Sequence, residues 1–197
     1  MDALEIALSL CLGVGLAAAC GFRVFVPPLI LAIAVRLSLP VADTAPAWMG
    51  SWVSIAVLAV ASALELVAYY VPWLDNALDS VASPMAVIAG ILLTAGVTSG
   101  LHPGVQWTLA VIAGGGAAGL TQTATVFTRA LSTAATGGLA NFLVSTLEAF
   151  AAIAVAVLTL VFAPLAVLVL TLICVWFVRL WRRRRAARAA KMRAATA

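Results

Sequence analysis

The strongest constraint on this chain is how little of it can face water. Apolar runs at 4–20, 24–39, 51–71, 84–101, 104–120, 121–137, 138–162 and 164–181 tile nearly its whole length, with only short polar breaks between them. A membrane-crossing helix needs roughly 20 apolar residues at about 1.5 Å rise per residue, so these runs predict about six to eight membrane segments. Composition supports this, since 65% of the 197 residues are hydrophobic, 9% are charged and mean hydropathy is +1.18, outside the range of soluble domains. Backbone polar groups in hydrocarbon must be satisfied internally. The runs lack the in/out alternation of an outer-membrane barrel, which leaves an all-α integral membrane fold.

Charge sets the orientation. Eight of the eleven basic residues (Arg179, Arg182 to Arg185, Arg188, Lys191 and Arg193) lie in the last nineteen positions. Such a flank stays on the cytoplasmic side and favours anionic lipid headgroups. We therefore expect a multi-pass inner-membrane protein with membrane lipids as partners and residues 182–197 as a basic cytoplasmic tail. A nucleic-acid partner is not expected, because the tail beyond Trp181 has neither stacking aromatics nor a folded basic face. The start, Met1-Asp2-Ala3-Leu4-Glu5, has no positive charge ahead of its apolar run and does not read as a cleaved signal. Cys11, Cys20 and Cys174 are odd in number and sit in apolar runs, where free thiols behave as small buried hydrophobes.

Two runs depart from lipid-facing composition. Val24 to Leu39 carries Pro27-Pro28 and Arg36; Thr121 to Gly137 is threonine-rich, contains Arg129 and ends at Gly137-Gly138. Each follows a glycine-rich run, which predicts a broken or re-entrant hairpin packed inside protein. The two occupy matching places in an internal repeat. Ser62-Ala63-Leu64-Glu65 pairs with Ser145-Thr146-Leu147-Glu148, and a proline-led run follows each, from Pro84 and from Pro164. The predicted halves are 1–102 and 103–181, with parallel and inverted arrangements both open. Duplicated halves with interrupted segments at corresponding places point to a transporter-like core with a site at their interface.

Ionisable residues inside the membrane mark that site, because each costs several kcal/mol unless it is paired or hydrated. Arg23, Glu65, Arg129 and Glu148 are the candidates. The simplest arrangement pairs Arg23 with one glutamate and Arg129 with the other. Thr121, Thr125 and Asn141 add polar groups that can line a path, although membrane hydroxyls also bond the carbonyl one turn back. In the functional reading Glu148 exchanges protons while an arginine and the hairpin helix N-termini attract an anionic group. In the structural reading the four charges are permanently paired and lock the halves together.

Asp75 and Asp79 read as a solvated face, and Trp48, Trp52, Trp73, Trp107, Trp176 and Trp181 as an interfacial belt. The spacings Gly96 to Gly100 and Gly115 to Gly119 permit close helix packing, within one chain in preference to a dimer face. The sequence shows no nucleophile with a base, no metal-ligand cluster and no phosphate-binding loop. Neither an enzyme nor a cofactor or metal is expected, and oligomeric state is open.

Together, Gly21-Phe22-Arg23-Val24-Phe25-Val26-Pro27, Leu64-Glu65, His102-Pro103, the threonine-rich segment through Arg129, Thr136 to Asn141 and Ser145 to Glu148 resemble a domain-of-unknown-function family of small bacterial membrane proteins. The resemblance spans about residues 3–175, through the same motifs that mark the repeat. Members typically place Asn-Pro where this chain has Asn141-Phe142, a departure that leaves no proline to break a helix there. The resemblance implies an inner-membrane protein and supplies no catalytic residue or substrate. The combined expectation is a transporter or channel for a small solute or ion, against a lipid-organising or structural membrane protein.

Overall fold

The computed structural model describes residues 2–40, 44–69 and 72–195; the side chains of 72–79, 173, 174, 176–178 and 180–195 are outside that description, and with them Asp75, Asp79, Trp73, Cys174 and the basic tail. Every regular element among the described residues is helical.

Helix α1, Ala3–Cys20, starts at a capping box in which the Glu5 amide donates to Asp2 Oδ1 at 2.7 Å and the Asp2 amide donates to Glu5 Oε2 at 2.9 Å. Two amide donors at the helix start are thereby satisfied without solvent. The helix is the hub of the fold, with Leu12, Leu16, Ala17, Ala19 and Cys20 almost fully buried, and it touches the helices over Val26–Arg36, Pro72–Val97, Gly116–Thr136 and Asn141–Ala195. Glycine makes two of those contacts possible. A Cβ on Gly15 would lie 2.5 Å from Thr159 Oγ1, and one on Gly21 would lie 2.5 Å from Thr121 Cβ and 2.6 Å from the Ala118 carbonyl.

After the connection 21–25, α2 runs over Val26–Arg36. Pro27 and Pro28 start this helix, since a proline in the first turn gives up an N–H that has no helical partner there. Arg36 ends it 4.8 Å from the Trp52 ring centroid, at a helix C-terminus where a cation is favoured. A 3₁₀ turn at Ala47–Gly50 leads to α3, Trp52–Ala68. In α3 only Ser62 and Glu65 are buried, whereas Trp52, Val53, Val57, Val60, Leu64 and Val67 are each at least 60% exposed. Polar inside and apolar outside is the pattern of a helix whose solvent is lipid.

Helix α4 spans Pro72–Val97 with Pro84 inside it. Helix α5, Pro103–Leu109, runs through a π-helical segment, Ala110–Gly115, directly into α6, Gly116–Thr136. This departs from the expected second hairpin: 104–120 and 121–137 form one rod of 34 residues. The threonines do not interrupt it. Thr123, Thr128 and Thr136 donate at 2.7–2.8 Å to carbonyls one turn back, so their hydroxyls are satisfied within a continuous helix. The turn comes afterwards, at Gly137 (φ 63°) and Gly138 (φ 90°), in the left-handed region that glycine tolerates.

Helix α7 extends over Asn141–Ala195 and bends at Phe162, whose φ −154° and ψ 80° are non-helical. The bend lies just before Pro164, which cannot donate to the ladder. Ser145, Glu148, Ala152, Ala156, Thr159, Ala163 and Ala166 are all buried, a stripe at spacings of three and four whose residues other than Glu148 are small and let α1 pack closely. Four helical segments, Ala3–Cys20, Ser80–Val97, Pro103–Thr136 and Asn141–Leu172, are long and apolar enough to cross a membrane, and Val26–Arg36 and Trp52–Ala68 are shorter apolar helices. The exposed tryptophans Trp48, Trp52 and Trp107 suit interfacial anchors.

Candidate functional site

On α6, Ala118, Gln122, Thr125 and Arg129 are buried. They recur at spacings of four, three and four and so form one inward stripe. Arg129 ends that stripe facing Glu148 of α7. Its Nε lies 3.2 Å from Oε1 and 3.0 Å from Oε2, and its Nη2 also donates to Oε2. Both partners are nearly sealed, with side chains 4% and 7% exposed.

Arg23 enters from the connection between α1 and α2 and is 1% exposed. Its Nη2 donates to the Ser145 carbonyl at 2.6 Å and lies 3.7 Å from Glu148 Oε2. Both arginines thus converge on one carboxylate. Glu65 does something else: its Oε1 accepts from the Val24 amide at 2.7 Å and its Oε2 from the Phe25 amide at 3.0 Å. It caps the start of α2, where a carboxylate is favoured by the exposed amides and the helix dipole. The expected division into one arginine per glutamate is therefore replaced by two arginines on Glu148 and two backbone amides on Glu65. A capping role was hard to foresee because Pro27 and Pro28 read as a break, not as a helix start with amides to satisfy.

Tyr69, at the C-terminal cap of α3 and 4% exposed, was absent from the predicted set. The guanidinium carbons of Arg23 and Arg129 each lie 4.1 Å from its ring centroid, close enough for cation–π attraction in a desolvated setting. The available signal was position: Tyr69 stands four residues after Glu65, on the same helix face. Two positive and two negative side chains plus an aromatic ring make a buried cluster with no net formal charge.

The remaining predicted residues surround this cluster unevenly. Thr121 packs under Gly21. Thr125 donates to the Gln122 carbonyl at 2.9 Å and reaches the Gly21 carbonyl at 3.5 Å, which holds the end of α1 against α6. Asn141 Nδ2 donates to Thr133 Oγ1 at 3.0 Å. That bond ties α7 to α6 across the glycine turn, and seven residues, about 10 Å along a helix, separate Asn141 from Glu148. Gln122 was also missed; its Nε2 lies 3.4 Å from Ser83 Oγ of α4.

Several buried polar atoms lack hydrogen-bond partners, including Arg23 Nε and Nη1 and the hydroxyls of Ser62, Ser132 and Ser145. These serines lie one turn from Glu65, Arg129 and Glu148 respectively. Thr44 and Thr94 carry unpartnered hydroxyls elsewhere. Two hollows of about 450 Å³ mark the surface, an apolar one along α3 and one between α4 and α6 lined by Ser83, Gln122 and Thr123 among others. Neither is lined by a charged member of the cluster. Among the described residues no group of three His, Cys, Asp or Glu side chains is placed to hold a metal ion.

No curated protein and no solved structure matches the chain. A protein-family model described as a domain of unknown function, DUF4126, matches residues 10–183, which include all four cluster charges, Tyr69 and most of α7. This chain is a member of the DUF4126 family.

Proposed function

We propose that this protein carries or conducts a small polar or ionic solute across a bacterial inner membrane, with Arg23, Glu65, Arg129 and Glu148 as the polar site. The supporting observation is the burial of these four ionisable side chains, none more than 8% exposed, in a chain whose exterior suits lipid. Intramembrane charges are expensive and mark ion or substrate pathways by default. In this reading 1–102 and 103–181 are related halves, and the Ser62–Glu65 and Ser145–Glu148 pairs are their corresponding elements. The short α2 supplies the re-entrant element, the groove between α4 and α6 is the approach to the site, and the basic tail rests on anionic headgroups at the cytoplasmic face.

A second reading draws on a specific feature of the cluster. Glu148 is held by both arginines, and such a closed network can serve only to lock helices together in a structural or lipid-organising protein. Single cysteines at Glu65, Thr125, Arg129 and Glu148, in a background lacking Cys11, Cys20 and Cys174, separate the two. Labelling by a membrane-impermeant thiol reagent is expected at these depths if the site is a path; a folded protein that stays unlabelled from both sides supports the lock. Glu148→Gln is expected to abolish transport in proteoliposomes while the protein still inserts, and unchanged transport would remove the glutamate from the mechanism.

A further inference from the structure

We infer that the open donors of Arg23, together with the Ser145 and Ser62 hydroxyls, bind a small monovalent anion that loads with a proton on Glu148. This rests on the transport reading above and names its solute class.

Hydrogen bonding is the first support. Arg23 is 1% exposed and uses only Nη2 for a hydrogen bond, while Nε and Nη1 have no acceptor. A buried guanidinium with unused donors is costly, and an anion is the partner that matches several N–H groups at once. Two unpartnered hydroxyls, those of Ser145 and Ser62, are equally unusual. Ser9, Thr98, Thr146 and Thr159 each donate to the carbonyl four residues back at 2.6–2.8 Å, the default for hydroxyls in apolar helices. Ser145, 1% exposed, and Ser62, 5% exposed, do not. Ser145 is already at Arg23 through its carbonyl, and Ser62 is one turn before the glutamate that holds the amides next to Arg23.

Charge is the second support. Glu148 faces Arg129 from α6 and Arg23 from the α1–α2 connection, with Tyr69 of the α3 segment against both arginines; Glu65 lies within electrostatic range of both arginines and of the Cys20 thiol of α1. With both glutamates ionised the cluster sums to zero, so an added anion would leave an uncompensated charge in a low-dielectric interior. A proton from water that forms an O–H bond on a Glu148 oxygen raises the sum to +1 and weakens that carboxylate's hold on Arg23. A monovalent anion on Arg23 then returns it to zero. One proton and one anion enter together, and neither loads alone. Arg23 and Ser145 are each only 1% exposed, so the proposed occupant is a small ion.

Chloride, nitrate and formate serve as probes, with bulky gluconate as the reference anion at constant ionic strength. Melting of the purified full chain in detergent is expected to rise with a probe anion, and more at about pH 5.5 than at about pH 8. The Ser62→Ala/Ser145→Ala chain is expected to melt cooperatively and bind at least about a hundredfold more weakly, the loss of two hydrogen bonds to a charged group. Glu148→Gln, a neutral stand-in for the protonated acid, is expected to respond to the anion equally at both pH values. The same rise with gluconate, no rise with any probe, or an unaltered response in the serine variant overturns the anion site. Labelled cysteines without anion dependence overturn the site and leave the transport reading standing; anion-dependent melting with sealed cysteines upholds the site and overturns transport.

Discussion

Ser62-x-x-Glu65 and Ser145-x-x-Glu148 are the same motif in two places, and their glutamates have different partners. Glu148 is the counter-ion of two arginines, whereas Glu65 holds two backbone amides at the start of α2. The difference follows from what each opposes. Opposite Glu148, α6 is a continuous helix whose amides are already used internally, so α6 reaches the carboxylate only through a side chain, Arg129. Opposite Glu65 the chain breaks between Cys20 and Val26 and exposes free N–H groups. One motif becomes an ion-pair centre beside an intact helix and a helix cap beside a broken one.

This contrast ranks the effects of substitution. Glu148→Ala should be the most damaging, because it strands two buried arginines; removing one partner of a buried pair costs about 3–5 kcal/mol. Reversible unfolding in mixed micelles measures it, and a larger loss from Glu65→Ala would reverse the proposed division of labour. Gly21→Ala should come next, at about 1–3 kcal/mol, since its Cβ would lie 2.5 Å from Thr121 Cβ and meet α6 backbone. Wild-type stability in that variant would mean that the α1–α6 approach is looser than described.

Glu65→Gln retains one acceptor oxygen for two amides, so its expected cost is about 1–2 kcal/mol, that of one buried donor left unpaired. Tyr69→Leu removes the ring shared by both arginines. It should cost about 1–2 kcal/mol and be smaller in a Glu148→Ala background if ring and carboxylate act on the same cations; a strictly additive double variant would separate them. Thr128→Val is the control, because this exposed hydroxyl bonds only its own helix, and its effect should stay within about 0.5 kcal/mol. A large effect there would mean that the outer face of α6 contacts something other than lipid.

Much of the site is legible along the chain. Thr125 and Arg129 follow helical spacing, and a charge deep inside an apolar run is driven to the interior, whereas Arg36, at the end of its helix, stays exposed. Other features are not legible, for local reasons. The threonine-rich stretch reads as an interruption because threonine is a weak helix former in water, yet in an apolar setting the hydroxyls of Thr123 and Thr128 turn back to their own helix. Pro27-Pro28 reads as a break and is a first turn. Tyr69 escapes notice because an aromatic at the end of an apolar helix has many ordinary uses, and only its two guanidinium neighbours set it apart.

The membrane class, the helical content and the identity of the four buried charges were determined by the sequence alone, since solvent preference belongs to each side chain and sums along the chain. Tertiary structure decided the pairing. Whether a carboxylate takes an arginine or a pair of amides depends on where the opposing backbone has already spent its N–H groups. That is a property of helices from distant parts of the chain brought side by side, and no single segment contains it.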